Sequence, residues 1–178
     1  MCAVETRARI GTDRLVLRSP QAGDALMLAD FGNDLGVAGM TASMPHPFGV
    51  AEAEACLAKA AGGDPRKRAG FVIEHRQFGP IGLLQIHEKE PRRPELGVWL
   101  GRPFWGRGYG AEAVSAALGW VKADWKKNVV WAGHFADNRA AGQVLCKAGF
   151  LYTGDVEVRG CVARDGAGVR TRMMVWLA

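Results

Sequence analysis

Leu15 and Leu17 share one face of a segment over residues 12–18, and this spacing predicts a first strand. Pro20 and Gly23 end it, and Asp24 is placed to cap a helix reaching about residue 33. Residues 36–49 are rich in Gly, Pro and Met and read as a loop, whereas the Ala- and Glu-rich residues 50–61 predict a second helix, stopped by Gly62-Gly63-Asp64-Pro65. Residues 70–75, 81–87 and 95–100 follow as strands separated by Pro- and Gly-containing turns, the pattern of an antiparallel meander. A helix over 111–123 carries Val114, Leu118 and Val121 at helical spacing. Beyond it come a strand (129–135), a helix (138–147) closed by Ala148-Gly149-Phe150, and a final strand pair (151–158 and 170–177). The order predicts an α/β fold: a mixed, mostly antiparallel twisted sheet of about six to seven strands with about four helices.

The 178 residues suit a single domain spanning 1–178. There is no apolar run of membrane-spanning length and no apolar h-region near Met1, so the expectation is a cytoplasmic protein without a secretory signal. Cys2, Cys56, Cys146 and Cys161 are widely spaced, with no C-x-x-C and no histidine at metal spacing, which predicts reduced thiols and no metal. The helical position of Cys146 predicts a core residue.

The net charge of +5 gathers in small groups: Arg66-Lys67-Arg68, Arg92-Arg93, Lys126-Lys127, and Arg170 with Arg172. An anionic partner fits this, either nucleic acid or a phosphate-bearing cofactor. An ordinary solvated surface fits the charge as well, and no recognition helix, zinc finger or aromatic RNA-binding motif accompanies it, which speaks against nucleic acid.

The chemistry gathers where the strand from Glu95 runs into Gly101-Arg-Pro-Phe-Trp-Gly-Arg-Gly-Tyr-Gly110 and on into a helix. Gly106, Gly108 and Gly110 permit tight or left-handed backbone and close approach of a ligand. The helix start offers free amides and a positive dipole end, while Arg102 and Arg107 add charge, so the segment predicts a pyrophosphate cradle. A Walker loop fails because Arg107-Gly108 replaces its Lys and Ser/Thr. Gly108-x-Gly110-x-x-Ala113 formally fits the dinucleotide pattern, but the acidic residue expected about 20 positions on and the further βα units are missing.

Glu95-Leu-Gly-Val-Trp-Leu100, Trp105-Gly-Arg-Gly-Tyr-Gly-Ala-Glu-Ala113 and Asn138-Arg-Ala-Ala-Gly-Gln-Val-Leu-Cys-Lys-Ala-Gly-Phe150 together resemble the GNAT acetyltransferase superfamily. With the Thr12–Arg18 opening, they are most similar to its RimJ/RimL-like branch, which acetylates ribosomal-protein N-termini. The resemblance implies an acyl-CoA N-acyltransferase fold and direct transfer of acetyl from acetyl-CoA to an amine, with no metal. It also implies that Val98, Trp99 and Leu100 pair with the pantetheine. Trp105, Gly106, Arg107, Gly108, Tyr109 and Gly110 would hold the pyrophosphate, and Asn138 would contact the cofactor. The chain departs from the family at Leu145, where many relatives carry a Tyr general acid, and at Ala141, where the branch carries Ser.

Glu95, at the start of the implied splayed strand, is the candidate general base; a bland alternative pairs it with Arg92 or Arg93. Glu112 reads as a first-turn carboxylate complementing the helix dipole. Trp99 reads mainly as core, Phe104 and Trp105 as a channel wall, and the loop carrying Met44, His46 and Phe48 as an acceptor wall by resemblance. His75, His87 and His134 read as structural. The expected partners are acetyl-CoA and a primary amine, a peptide N-terminus or a small molecule, with no membrane, and the chain acting as monomer or homodimer. Two other function classes stay open: a non-catalytic CoA-binding module, and a basic protein that docks on RNA or the ribosome.

Overall fold

The computed structural model describes residues 8–178, so the expectations for Cys2 and for the first residues lie outside the described part. Eight strands form one sheet: β1 (Ile10–Gly11), β2 (Leu15–Arg18), β3 (Arg68–His75), β4 (Gly79–Glu90), β5 (Arg93–Leu100), β6 (Val129–Phe135), β7 (Leu151–Cys161) and β8 (Ala167–Leu177). Their order is β1-β2-β3-β4-β5-β6-β8-β7, antiparallel throughout except for the β5–β6 pair. The helices are α1 (Ala25–Gly32), α2 (Leu35–Ala38), α3 (Val50–Ala61), α4 (Tyr109–Ala123) and α5 (Arg139–Lys147). The α/β architecture is the expected one. It gains a two-residue edge strand and a one-turn helix inside the Gly- and Met-rich stretch read as a loop.

The sheet carries a core on each face, as the period-2 alternation of a strand requires. Ile73, Leu84, Leu96 and Val130 pack with Val114, Leu118 and Leu145 on the face covered by α4 and α5. Val72 and Leu83 pack with Leu28, Phe48 and Leu57 on the face covered by α1 and α3. The predicted stripe on α4 is real: Ala113, Val114, Ala117, Leu118 and Val121 are all buried, one helical turn apart. Burial of each such Val or Leu side chain stabilises the fold by about 1.5–3 kcal/mol.

Asp24 does not cap α1 with its side chain. Its carboxylate instead takes both arms of the Arg18 guanidinium, at 2.9 and 2.7 Å, and the Gln21 amide at 2.8 Å. The pair is buried, and a buried guanidinium needs such a partner, so Asp24 is spent on Arg18 rather than on the helix. Among the described residues, no helix is long and apolar enough to cross a membrane, and no group of His, Cys, Asp and Glu could hold a metal.

Candidate active site

The single parallel junction makes the site. β5 and β6 pair only at Glu95 with Trp131 and Leu96 with Ala132. Beyond that, residues 97–100 of β5 stay paired to β4 but have no partner on the β6 side. Val98, Trp99 and Leu100 therefore line a wedge with no strand partner along one edge, where peptide groups other than the Leu100 carbonyl are left for an extended amide-bearing ligand. Trp99 is half-buried against Phe48, edge to face at 6.2 Å, as the core reading expects. Leu100 is buried and its carbonyl accepts the Trp105 indole N–H at 2.8 Å, so the half-exposed Trp105 folds back over the mouth of the wedge.

The glycine turn opens at that mouth. Gly106 (φ +70°) and Gly108 (φ +82°) adopt left-handed backbone, and at Gly106 a Cβ would meet nothing, so its requirement is conformational rather than steric. Gly110 differs from the expectation. It lies inside α4, and a Cβ there would stand 3.2 Å from both methyls of Val144, so its smallness serves close packing of α4 on α5. Gly108 is the N-cap of α4, and no side chain caps the helix, which leaves the first-turn amides free for an anion.

Tyr109 gives the turn only its backbone. Its ring is buried in the core, with the hydroxyl 3.1 Å from His75 Nε2. Phe104 is likewise buried, edge to face with Phe31 at 5.1 Å, and walls the site from within. Arg102 is not a free cation, because Asp34 holds it at 2.5 and 2.6 Å. That contact, set against partial desolvation, holds the Asp34 carboxyl down at about 2. Arg107 is exposed and, among the described residues, has no carboxylate partner.

Arg14 went unseen in the sequence because its partners lie about a hundred residues away. It donates to the Arg107 carbonyl at 2.9 Å and to Glu112 at 2.7 Å, tying the turn to the first strand pair. Glu112 thus does more than face a dipole. Burial opposes its charge, but hydrogen bonds from the Thr12 hydroxyl (2.6 Å) and the Arg14 amide (3.0 Å) outweigh that and hold its carboxyl below the usual range. Just beyond the C-terminal end of β6, Asn138 caps α5 by accepting the Ala141 amide at 3.2 Å, and among the described residues its NH2 group makes no hydrogen bond. Leu145, in the position of the family's acid, is 3% exposed and belongs to the core.

Glu95 sits at the last paired rungs of the junction, its side chain on the α1/α3 face together with that of Trp99. Its partner is neither Arg92 nor Arg93. Arg159 of β7 grips both oxygens, one contact at 3.0 Å, and Lys89 stands 3.8 Å away. A bidentate guanidinium uses one lone-pair direction on each oxygen and leaves the others open. Ala42, Lys89, Glu90, Arg93, Glu157 and Arg159 complete a cleft of about 380 Å³ around it. His87 is the cross-strand neighbour of Glu95, and burial followed by Arg68 and Lys89 pushes its imidazole down. Of the residues expected to form the acceptor wall, Met44 and Phe48 are core side chains and His46 is exposed, and the loop reaches the cleft through Ala42. Cys146 corrects another expectation, since it is exposed on the outer side of α5.

A sheet split at its one parallel pair, with an uncapped helix start and glycine turn at the opening, defines an acyl-CoA N-acyltransferase fold. The acetyltransferase (GNAT) domain model matches residues 14–151, and the chain belongs to that family. Similar solved structures include the microcin C7 self-immunity acetyltransferase in complex with acetyl-CoA and AMP (14% identity, 94% of each chain, TM-score 0.81). Others are the ribosomal-protein-S5-alanine acetyltransferase of Vibrio fischeri (16%, 96% of each chain, 0.78) and the spermidine N-acetyltransferase of Vibrio cholerae with CoA and spermine (20%, 93% and 96%, 0.75). At these identities the likeness is one of fold. No curated protein matches the chain.

Proposed function

We propose that the domain transfers acetyl from acetyl-CoA directly to a primary amine. The observation that carries this is the coincidence of the β5 wedge with the glycine turn, at residues 97–100 and 106–110 of one continuous segment. Pantetheine amides would lie along the open edge of Val98, Trp99 and Leu100. The pyrophosphate would sit on the amides at the start of α4 with Arg107 beside it, and the Asn138 NH2 would donate to the pantetheine. Family membership supports the same reading.

The amine enters from the Glu95 cleft. Its lone pair attacks the thioester carbonyl, backbone amides of the wedge stabilise the oxyanion, and the C–S bond then breaks to release CoA. Glu95 takes the ammonium proton, directly or through one water, on its open lone pairs. With Leu145 in the core, the leaving thiolate takes its proton from solvent. The acceptor is a peptide N-terminus or a small amine, and the V. fischeri and V. cholerae structures, similar in fold, stand for these two kinds.

The test is release of CoA from acetyl-CoA against a panel of N-terminal peptides and small amines, with product masses. Acetylated product with equimolar CoA supports the reading. Tight acetyl-CoA binding without any release would make the domain a non-catalytic CoA-binding module.

A further inference from the structure

A second cleft, about 590 Å³, opens on the far side of α5. At about 100° per residue, Arg139, Gly142, Gln143 and Cys146 point away from Val144, the residue that meets α4 at Gly110. The helix therefore stands between this cleft and the glycine turn. The floor is built by strand register: His134 pairs with Arg172 and Arg172 with Val156, so the three share the α5 face, with Arg170 two residues along β8.

Arg139, Arg170 and Arg172 line the cleft with no carboxylate among its other lining residues, and none of the three forms an ion pair among the described residues. Arg18, Arg93, Arg102, Arg159 and Arg164, by contrast, each hold a carboxylate. At the floor, His134 is 6% exposed and its Nδ1 donates to the Phe135 carbonyl at 2.8 Å; with the ring neutral, Nε2 accepts the Tyr152 hydroxyl at 3.0 Å. Arg172 lies over the Tyr152 ring at 4.2 Å, and the half-exposed Val156 gives an apolar wall. Gly142 is required for this floor, because a Cβ there would stand 2.7 Å from the Tyr152 hydroxyl and 2.8 Å from His134 Nε2.

We propose that this cleft is a second ligand site, for a small organic phosphate monoester, separate from the acetyl-CoA cradle. Three guanidiniums exceed what one carboxylate can occupy, whereas a phosphate dianion offers three acceptor oxygens to such forks. The Tyr152–Val156 side suits an apolar substituent, and the volume lies in the range of small-molecule sites, about 300–1,000 Å³.

Calorimetric titration of the full chain with phenyl phosphate tests this, first without CoA and then with CoA at saturation, beside inorganic phosphate and benzoate. Saturable one-to-one binding of phenyl phosphate is expected in both states, at least about tenfold tighter than benzoate and tighter than inorganic phosphate. Arg170→Gln with Arg172→Gln should weaken it at least about tenfold while CoA binding stays within about twofold; Arg139→Gln, on another element, should weaken it too. Absence of saturable binding, displacement by CoA, equal affinity for inorganic phosphate, or full binding by the double variant overturns the proposal. Because the first titration omits CoA, failure of CoA to bind bears on the acetyl-transfer reading alone.

Discussion

Leu96 of β5 and Ala132 of β6 form the last parallel pair in the sheet, and one residue further on the two strands have parted. The peptide groups left bare beyond that pair are what a pantetheine chain would satisfy. Acetyl-CoA is therefore expected to raise the melting temperature, whereas NAD and ATP are not. Ligand at 100 times its dissociation constant adds about 2.7 kcal/mol of stability. Differential scanning fluorimetry with the three ligands decides it, and a larger shift with NAD would contradict the pantetheine assignment.

The two glycines of the turn should fail differently. Gly108→Val forces a β-branched residue to φ +82° and brings its Cβ to 3.3 Å from the Arg14 guanidinium, distorting the cradle. Acetyl-CoA affinity should fall more than tenfold, with a stability loss of about 1–3 kcal/mol. Gly110→Val instead presses on Val144, and its main effect should be an overpacking loss of about 1–3 kcal/mol with weaker effect on affinity. Chemical denaturation and calorimetry on both variants separate the two roles.

Glu95→Gln should keep acetyl-CoA affinity and lower turnover about 10²–10⁴-fold, the range for a positioned general base. The loss should shrink at high pH, where more acceptor is already neutral. His87→Gln, one strand away, should keep turnover within a few-fold. The reverse ranking in a pH-rate profile would transfer the proton to His87 and leave Glu95 as the anchor of Arg159.

Asp34 ties α2 to Arg102 at the entrance of the glycine turn, and its pH dependence has a definite sign. Its folded value of about 2 lies below the ordinary 3.8, so the stability it contributes is present above about pH 4 and is lost as pH falls towards 2. Asp34→Asn should lower the melting temperature slightly at pH 7, as for exposed ion pairs, and the difference from wild type should shrink as pH falls from about 4 and be gone only below about 2. A constant difference across that window would assign the loss to the Gly36 amide contact instead.

Replacing Gly by Ala inside a helix ordinarily gains about 0.5–1 kcal/mol. At Gly142 of α5 the sign should invert, because the new Cβ meets the Tyr152 hydroxyl and His134. In a Tyr152→Phe background part of the cost should return, as a double-mutant cycle would measure. Strict additivity would mean that α5 shifts outward as a whole.

What the sequence made legible was local. The glycine turn, the α4 stripe and the helix read over 138–147 each depend on residues within a few positions of one another, and all lie where the sequence pattern placed them, with Asn138 as the N-cap of α5. What stayed hidden depends on pairs brought together by the sheet. Glu95 meets Arg159 across two intervening strands, because the long Arg159 side chain lies over Gly133 of β6 and Met173 of β8, and Arg14 meets Glu112 because α4 packs on the first strands. Gly110 was read as part of the turn because periodicity gives no sign of a neighbouring helix, and Cys146 as core because α5 has a second, open side that local spacing does not mark.

The two-rung seam at Glu95 and Leu96 also bears on how the molecule unfolds. Strands β1 to β5 form one antiparallel unit and β6 to β8 another, each closed by many cross-strand pairs, while only two pairs join them directly. Apart from the two-residue edge strand β1, which is also held by two pairs, parting there costs less ladder than parting inside either unit, so the amides flanking the seam are the natural place for sub-global opening. A ligand lying in the wedge touches both units at once. Its binding energy is then added at the weakest joint, and the occupied domain opens as one body where the empty one opens as two.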